Sequence, residues 1–378
     1  MITDRVPIER FHPGEFVLEE IEERGWTQID LAAILGRPVP AINEIITGKR
    51  GITPETAHGL AAAFGTSAEY WMNLETQYQL WNSKHLNKAR QMDVSRKARL
   101  YEVAPIKHMV KRGWIDQSNN VEVLERAVLD FFGCETLEDE IPGVPFAAKM
   151  SISYAQASTG HKAWVHRAAH IARAIQAKPF TASSIASLKS KLKNLLHEPQ
   201  EIRHVPKLMA EYGIRLVIVE HLPRTKIDGA AFWLDDVSPV IVLSLRYDRI
   251  DNFWFVLMHE IDHIAHKDTI SAEEVTLTGI TEGGQAKPIE EARANDFAAG
   301  FLVPRETLQG FINRKGPLFN NRDIANFAAT IGVHPGLVVG QLNHLLDDYT
   351  IGRKFLVKVR YIMIATALID GWGQSVEL

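Results

Sequence analysis

The stretch from Phe255 to His266 reads Phe-Val-Leu-Met-His-Glu-Ile-Asp-His-Ile-Ala-His. Its histidines at 259 and 263 stand one helical turn apart, so a helix sets both imidazoles on one face, where they can hold one ion. The apolar residues just before His259 place this part of the helix in the interior rather than in solvent. Glu260 follows the first histidine, where its carboxylate can reach a water held by a metal. Zinc lowers the pKa of such a water towards about 7, and a carboxylate can take its proton as the water attacks a carbonyl. A bare match to this pattern arises by chance in roughly one chain in a hundred, so the motif alone is weak.

A catalytic zinc usually has three protein ligands and one open position. The candidate third ligand is Glu291, in the Ala-rich segment Glu290-Glu291-Ala292-Arg293-Ala294-Asn295. Asn295 lies one turn further on and is placed to orient a ligating imidazole by a hydrogen bond. Glu290 reads as a solvated neighbour and becomes the competitor if the helix phase differs. His266 reads as a partly buried or exposed histidine rather than a ligand. No residue stands out as an oxyanion stabiliser; Tyr247 and the nearby histidines are the only suggestions.

The chain has 378 residues, too many for one ordinary core, so two or three domains are expected. An α+β, mostly helical protein is predicted: an all-helical unit over 1–80, a helical middle region over 81–200, and a zincin-like domain over 201–378. In the first unit Pro13 opens a helix, Thr27 caps a second, Pro38 begins a third and Thr53-Pro54 a fourth. Gly25, Gly36, Gly48 and Gly65 close them. The middle region shows helical periodicity at 103–110, 121–132 and 161–174, with a further amphipathic stretch at 187–197. Turn signals fall at Pro142-Gly143 and at Ser158-Thr159-Gly160. From about residue 205 the pattern changes to strands at 214–219, 230–234 and 240–243, read as a small antiparallel sheet. Two helices follow, from about Asn252 to His266 and from near Pro288 to before Pro304. A helical tail and an apolar stretch at 355–368 complete the chain.

The segments quoted from residue 201 onward resemble the ImmA/IrrE metallopeptidase family. The likeness rests on the small sheet, on His259-Glu260-x-x-His263, and on Glu291-x-x-Ala294-Asn295-x-Phe297-Ala298-Ala299 followed by Leu302-Val303-Pro304. It implies a gluzincin-like Zn2+ site with His259, His263 and Glu291 as ligands and Glu260 as base. It also implies cleavage of helix-turn-helix repressors. Asp262 departs from the family pattern, where that position is usually small and often glycine; a carboxylate there can crowd the site or charge it.

Residues 11–80 resemble the HigA-like branch of the XRE helix-turn-helix family. The matching features are His12-Pro13-Gly14-Glu15, Thr27-Gln28-x-x-Leu31-Ala32, and Ile42-Asn43-x-Ile45-Ile46-x-Gly48-Lys49-Arg50, followed by Ala63-Phe64-Gly65-Thr66-Ser67 and Tyr70-Trp71-x-Asn73-Leu74. In such a domain the third helix enters the major groove of operator DNA. Gln28 is placed for a phosphate, and Arg37, Asn43, Lys49 and Arg50 are the remaining contact candidates. Residues 1–80 nonetheless carry six Lys or Arg against twelve Asp or Glu. Weak monomeric binding, and therefore a homodimer on double-stranded DNA, is expected. A second helix-turn-helix outline at 321–345 reads as packing on the C-terminal core.

The net charge of −4 rules out a global basic field. One cysteine, Cys134, excludes a disulfide framework within the chain and a cysteine zinc cluster, which suits a cytoplasmic protein. The charged N-terminus does not read as a secretory signal, and no apolar run is long enough for a membrane helix. Two functions stay open. One is a DNA-binding regulator whose zinc endopeptidase cleaves a repressor-like protein, possibly itself. The other is an antitoxin-type repressor that neutralises a cognate toxin and carries a non-catalytic metallopeptidase-like domain.

Overall fold

The computed structural model describes residues 11–86, 88–137, 158–267 and 289–376. Residues 1–96 and 97–378 form two compact units. The Pro142-Gly143 turn signal and Pro288 lie outside the described residues.

The first unit begins with α1 (Pro13–Glu23), α2 (Gln28–Leu35), α3 (Val39–Ile46), α4 (Pro54–Phe64) and α5 (Ala68–Leu86). Their ends follow from local chemistry. The Thr27 side chain accepts the Asp30 N–H and Asp30 answers at the Thr27 N–H, a capping box. Thr53 caps α4 through the Thr56 N–H. Gly36 and Gly65 end α2 and α4 in the left-handed conformation. The buried faces of Val17, Ile21, Leu31, Ile42, Leu60 and Trp71 meet in one core. Glu75, itself buried on α5, accepts the Ile52 N–H at 2.9 Å and ties α5 to the start of α4. Next comes α6 (Lys88–Val103).

The second unit is built on a four-stranded sheet: β1 (Arg215–Val219), β2 (Gly229–Trp233), β3 (Pro239–Leu243) and the two-residue β4 (Ile369–Asp370). The order is β2-β3-β1-β4. The sheet is mixed, which corrects the antiparallel expectation. Only the β2–β3 hairpin is antiparallel, with Ala231 opposite Ile241. β1 runs parallel to both β3 and β4. The reason is coverage. A sheet faced by helices on both sides can hold parallel strands, and such strands read as continuous apolar runs.

Successive strand residues serve opposite faces. Val217, Val219, Phe232, Val240 and Val242 share a core with helices α7 (Ile106–Lys111), α8 (Val121–Phe132) and α9 (Thr159–Arg173). Leu216, Ile218, Ala231, Ile241 and Leu243 face the other core, built on α10 (Ser184–Lys193), α11 (Val205–Glu211) and α12 (Ile250–His266). The same core takes in α13 (Ile289–Leu302), α14 (Arg305–Lys315), α15 (Asn321–Ile331), α16 (Pro335–Leu346) and α17 (Arg360–Ile364). The second helix-turn-helix outline is α15 and α16, and its Ile324, Phe327, Leu337 and Leu342 are buried in this core. The expected turn at 158–160 is instead a helix start, since Ser158 caps α9 through the His161 N–H. The amphipathic stretch expected at 187–197 becomes the earlier helix α10.

Candidate metal centre

α12 crosses the sheet with nearly its whole length buried. His259 is 1% exposed, Glu260 2% and His263 8%. Their side chains leave α12 beside β2, and Gly229 at the start of that strand makes the approach possible. A Cβ on Gly229 would stand 2.6 Å from Val256 Cγ1 and 3.0 Å from Glu260 Oε1. Here glycine serves closeness rather than turn geometry.

Glu291 enters from the first turn of α13, which packs along α12. Its two oxygens divide between the histidines: Oε2 lies 3.2 Å from His259 Nε2 and Oε1 3.3 Å from His263 Nε2. The two Nε2 atoms are 3.0 Å apart. His259, His263 and Glu291 thus bring three ligand atoms into one buried cluster. A tetrahedral zinc with bonds of about 2.0–2.2 Å needs ligand atoms separated by roughly 3.3 Å. The three side chains fit a zinc ion without rearrangement. Burial pushes the Glu291 carboxyl up, but hydrogen bonding with His259 and His263 outweighs it and holds the group below the usual carboxylate range. A carboxylate fixed in its charged form between two imidazoles is a cation site.

Glu260 is different. Burial raises its pKa from the usual carboxylate value to about 7, against the lowering effect of His259 and His263 and with Glu291 and Asp228 reinforcing it. A carboxyl poised near neutrality is suited to giving and taking protons. Asp228, buried just before β2, is held in a two-bond pair with Arg246, at 2.9 and 2.8 Å.

Asp262 stands outside the three-residue cluster. Its carboxylate is buried and receives Arg293 Nε of α13 at 2.7 Å, with His266 Nδ1 at 3.4 Å. The charge that departs from the family pattern is therefore compensated by α13, the helix that delivers Glu291. Sequence reasoning missed this partner, although Arg293 lies two residues after Glu291. It also missed Asp228, Gly229 and Arg246. Asn295 is buried one turn beyond Glu291, whereas Glu290 and His266 are exposed. Tyr247 is 46% exposed, with the Arg246 guanidinium over its ring at 4.6 Å.

The helix-turn-helix unit holds the remaining candidates. Gln28 is the first residue of α2 and half-buried. Asn43 is exposed on α3, whose buried face carries Ile42 and Ile45. Lys49 and Arg50 are exposed in the turn after α3. Arg37 and Arg50 each meet a carboxylate, Glu55 at 3.2 Å and Glu44 at 2.9 Å.

Two family models match the chain: Helix-turn-helix over residues 17–71, and IrrE N-terminal-like domain, a peptidase-family model, over residues 191–339. The chain is 41% identical over 70 residues to Virulence-associated protein I of Dichelobacter nodosus, a match to 18% of this chain that spans 65% of that protein. It is 37% identical over 79 residues to an "Uncharacterized HTH-type transcriptional regulator" of Haemophilus influenzae, covering 21% of this chain and 74% of that one. A solved structure of Pseudomonas aeruginosa antitoxin HigA with the higBA promoter is 34% identical, with a TM-score of 0.21, covering 22% of this chain and 90% of that one. No helix among the described residues is long and apolar enough to cross a membrane. The chain therefore belongs to the helix-turn-helix proteins and carries, C-terminal to that domain, a peptidase-family domain of the IrrE N-terminal-like type.

Proposed function

We propose that this protein is a DNA-binding transcriptional regulator whose C-terminal domain is a zinc-dependent endopeptidase acting on a repressor-like polypeptide, its own helix-turn-helix unit included. The observation that carries the reading is the convergence of His259, His263 and Glu291 at 3.0–3.3 Å beside a buried Glu260. Bound zinc would supply a Lewis acid and make a water acidic near neutral pH. The chain's own residues do the rest. Glu260 takes a proton from the attacking water and hands it to the leaving amine, the two halves of a peptide hydrolysis. Glu291 and the two imidazoles hold the ion, with Asn295 placed to orient the first of them. β2 pairs with β3 alone among the strands and lies against α12, so its outer side suits an extended peptide added as a further strand.

For the helix-turn-helix unit, the match over 17–71 supports operator binding, with α3 in the major groove of double-stranded DNA. Asn43 reads base edges. Gln28, Arg37, Lys49 and Arg50 hold phosphates, Arg37 and Arg50 exchanging their carboxylate partners for the DNA backbone. A homodimer doubles these contacts and offsets the acidic balance of the unit.

Metal analysis of the purified protein tests the centre. Wild type should hold about one zinc per chain, Glu291→Ala and His263→Ala almost none, and Glu260→Gln the wild-type amount. Glu260→Gln should at the same time abolish cleavage of repressor-like proteins. A wild type that binds operator DNA but no metal refutes the peptidase. A Glu260→Gln variant that keeps every regulatory property shifts the reading to an antitoxin-type repressor.

A further inference from the structure

Away from the metal centre, the second unit contains a cavity of about 790 Å³. It opens where β1 and β4 end: Glu220 and His221 follow β1, and Gly371 to Ser375 follow β4. The two strands are adjacent and parallel. The crevice at the carboxyl ends of parallel strands is where open α/β sheets place their ligands. The third wall is the end of α7, with His108, Lys111 and Arg112. No residue of the metal cluster lines it.

The charges of the lining are incompletely matched. Asp370, 1% exposed, is saturated from below: Trp114 Nε1 donates to Oδ1 at 2.9 Å and Arg167 Nε to Oδ2 at 2.7 Å. Glu220 Oε2 accepts the Trp372 N–H at 2.8 Å and meets Arg112 Nη2 at 3.0 Å. Both carboxylates are thereby committed. On the other side of the guanidinium, Arg112 Nη1 is buried with no hydrogen-bond partner. His221 Nδ1 is likewise buried without one. Lys111 is exposed at the rim and has no carboxylate within ion-pair distance among the described residues. A buried donor without an acceptor costs about 1–3 kcal/mol, more when charged, so the lining presents donors that an anion would satisfy.

The loop after β4 is shaped to keep Arg112 in place. Gly371, at φ +139°, forms a paired turn with Gln374. A Cβ on Gly371 would collide with Glu220 and stand 2.9 Å from Arg112 Nη1. The glycine therefore leaves room for the Arg112–Glu220 pair at the wall of the cavity.

We propose that this cavity binds a small organic oxyanion, its phosphate or carboxylate group seated among Arg112 Nη1, His221 Nδ1 and Lys111. The volume lies within the range of small-molecule sites and exceeds what a bare phosphate fills, so the ligand carries a body that extends towards Trp372. A guanidinium edge suits either oxyanion, and the two are separated by experiment.

The test is calorimetric titration of the full-length, zinc-loaded chain with sodium phosphate and, separately, with sodium citrate. Sodium chloride at matched ionic strength is the reference. Saturable binding at one site per chain is expected for one of the two, and which one identifies the anion class. Lys111→Glu and His221→Ala should each weaken it about tenfold or more, with melting temperatures unchanged in the absence of anion. Should either variant fail to fold, Lys111→Gln and His221→Gln serve the same comparison. Two results overturn the proposal. One is no saturable heat beyond chloride with either titrant. The other is wild-type affinity in the variants, which would place the anion at the metal or on the DNA-binding face.

Discussion

Replacing Gly229 by alanine adds one methyl group where α12 lies closest to the sheet. Its Cβ would sit 2.6 Å from Val256 Cγ1, whereas carbons in contact settle at about 3.5–4.0 Å, so roughly 1 Å must be found. Val256 cannot simply rotate away, because a β-branched side chain in a helix has one strongly preferred rotamer. The other contact is the side chain of Glu260, at 3.0 Å from Oε1. Either α12 lifts off β2 or Glu260 moves. Overpacking of this kind costs about 1–3 kcal/mol. In a unit of this size each kcal/mol shifts the midpoint by roughly 2–4 °C, so thermal melting should fall by roughly 2–12 °C. Peptidase activity should fall further than stability does, since the displaced group is the proposed base. Gly300→Ala is the control, on the exposed side of α13 with nothing within 4 Å of the added Cβ. An exposed helical glycine gains up to about 1 kcal/mol on becoming alanine. Scanning fluorimetry on both variants decides the matter. Equal melting temperatures in Gly229→Ala and wild type would show that the close approach of α12 to β2 does not constrain this position.

Two further outcomes are expected. Arg293→Ala leaves the buried Asp262 carboxylate without its 2.7 Å partner; because Arg293 is one-third exposed, the loss should be about 1–3 kcal/mol, below that of a fully buried pair. Chemical denaturation should show Arg293→Ala/Asp262→Gly recovering most of it, and additive losses would refute the coupling. His170 supplies a pH signature: burial, with Arg173 and nearby cations adding, pushes its pKa down to about 4. Above about pH 6.5 the group is neutral folded and unfolded and costs nothing. As pH falls from about 6.5 to about 4, the unfolded chain takes a proton that the folded chain refuses, and stability declines. His170→Gln should flatten that part of a melting-temperature profile; an unchanged slope would assign the acid sensitivity to other groups.

Much of this molecule could be read from its residues because its boundaries are set locally. Thr27, Thr53 and the glycines at 36 and 65 fix helix ends through contacts within a few residues, and the helices lie where those signals place them. The His259–His263 spacing and the buried character of that segment are likewise local, as is Glu291 in the first turn of α13. What escaped is long-range. The parallel pairing of β1 depends on which strand it meets after a crossover, and strand patterning alone does not encode that. β4 is two residues long, one of them a buried aspartate, and it reads as a strand only once Arg167 and Trp114 are known to neutralise it. Gly229 was unreadable for the same reason, because its neighbours lie on a helix that starts more than twenty residues later. Asp262 looked like a flaw in the motif until Arg293 was found opposite it.

The two-sided coverage of the sheet has a practical consequence. The segment that carries the peptidase-family match starts at residue 191, yet one face of its strands is covered by helices that come earlier in the chain. A fragment starting there would present Val217, Val219, Phe232, Val240 and Val242 to water as one continuous apolar surface. Exposed strand surface of that kind promotes association between chains. Peptidase fragments should accordingly be soluble when they begin before α7 and precipitate when they begin at residue 191. The unit of inheritance and the unit of folding differ here by the three helices α7, α8 and α9.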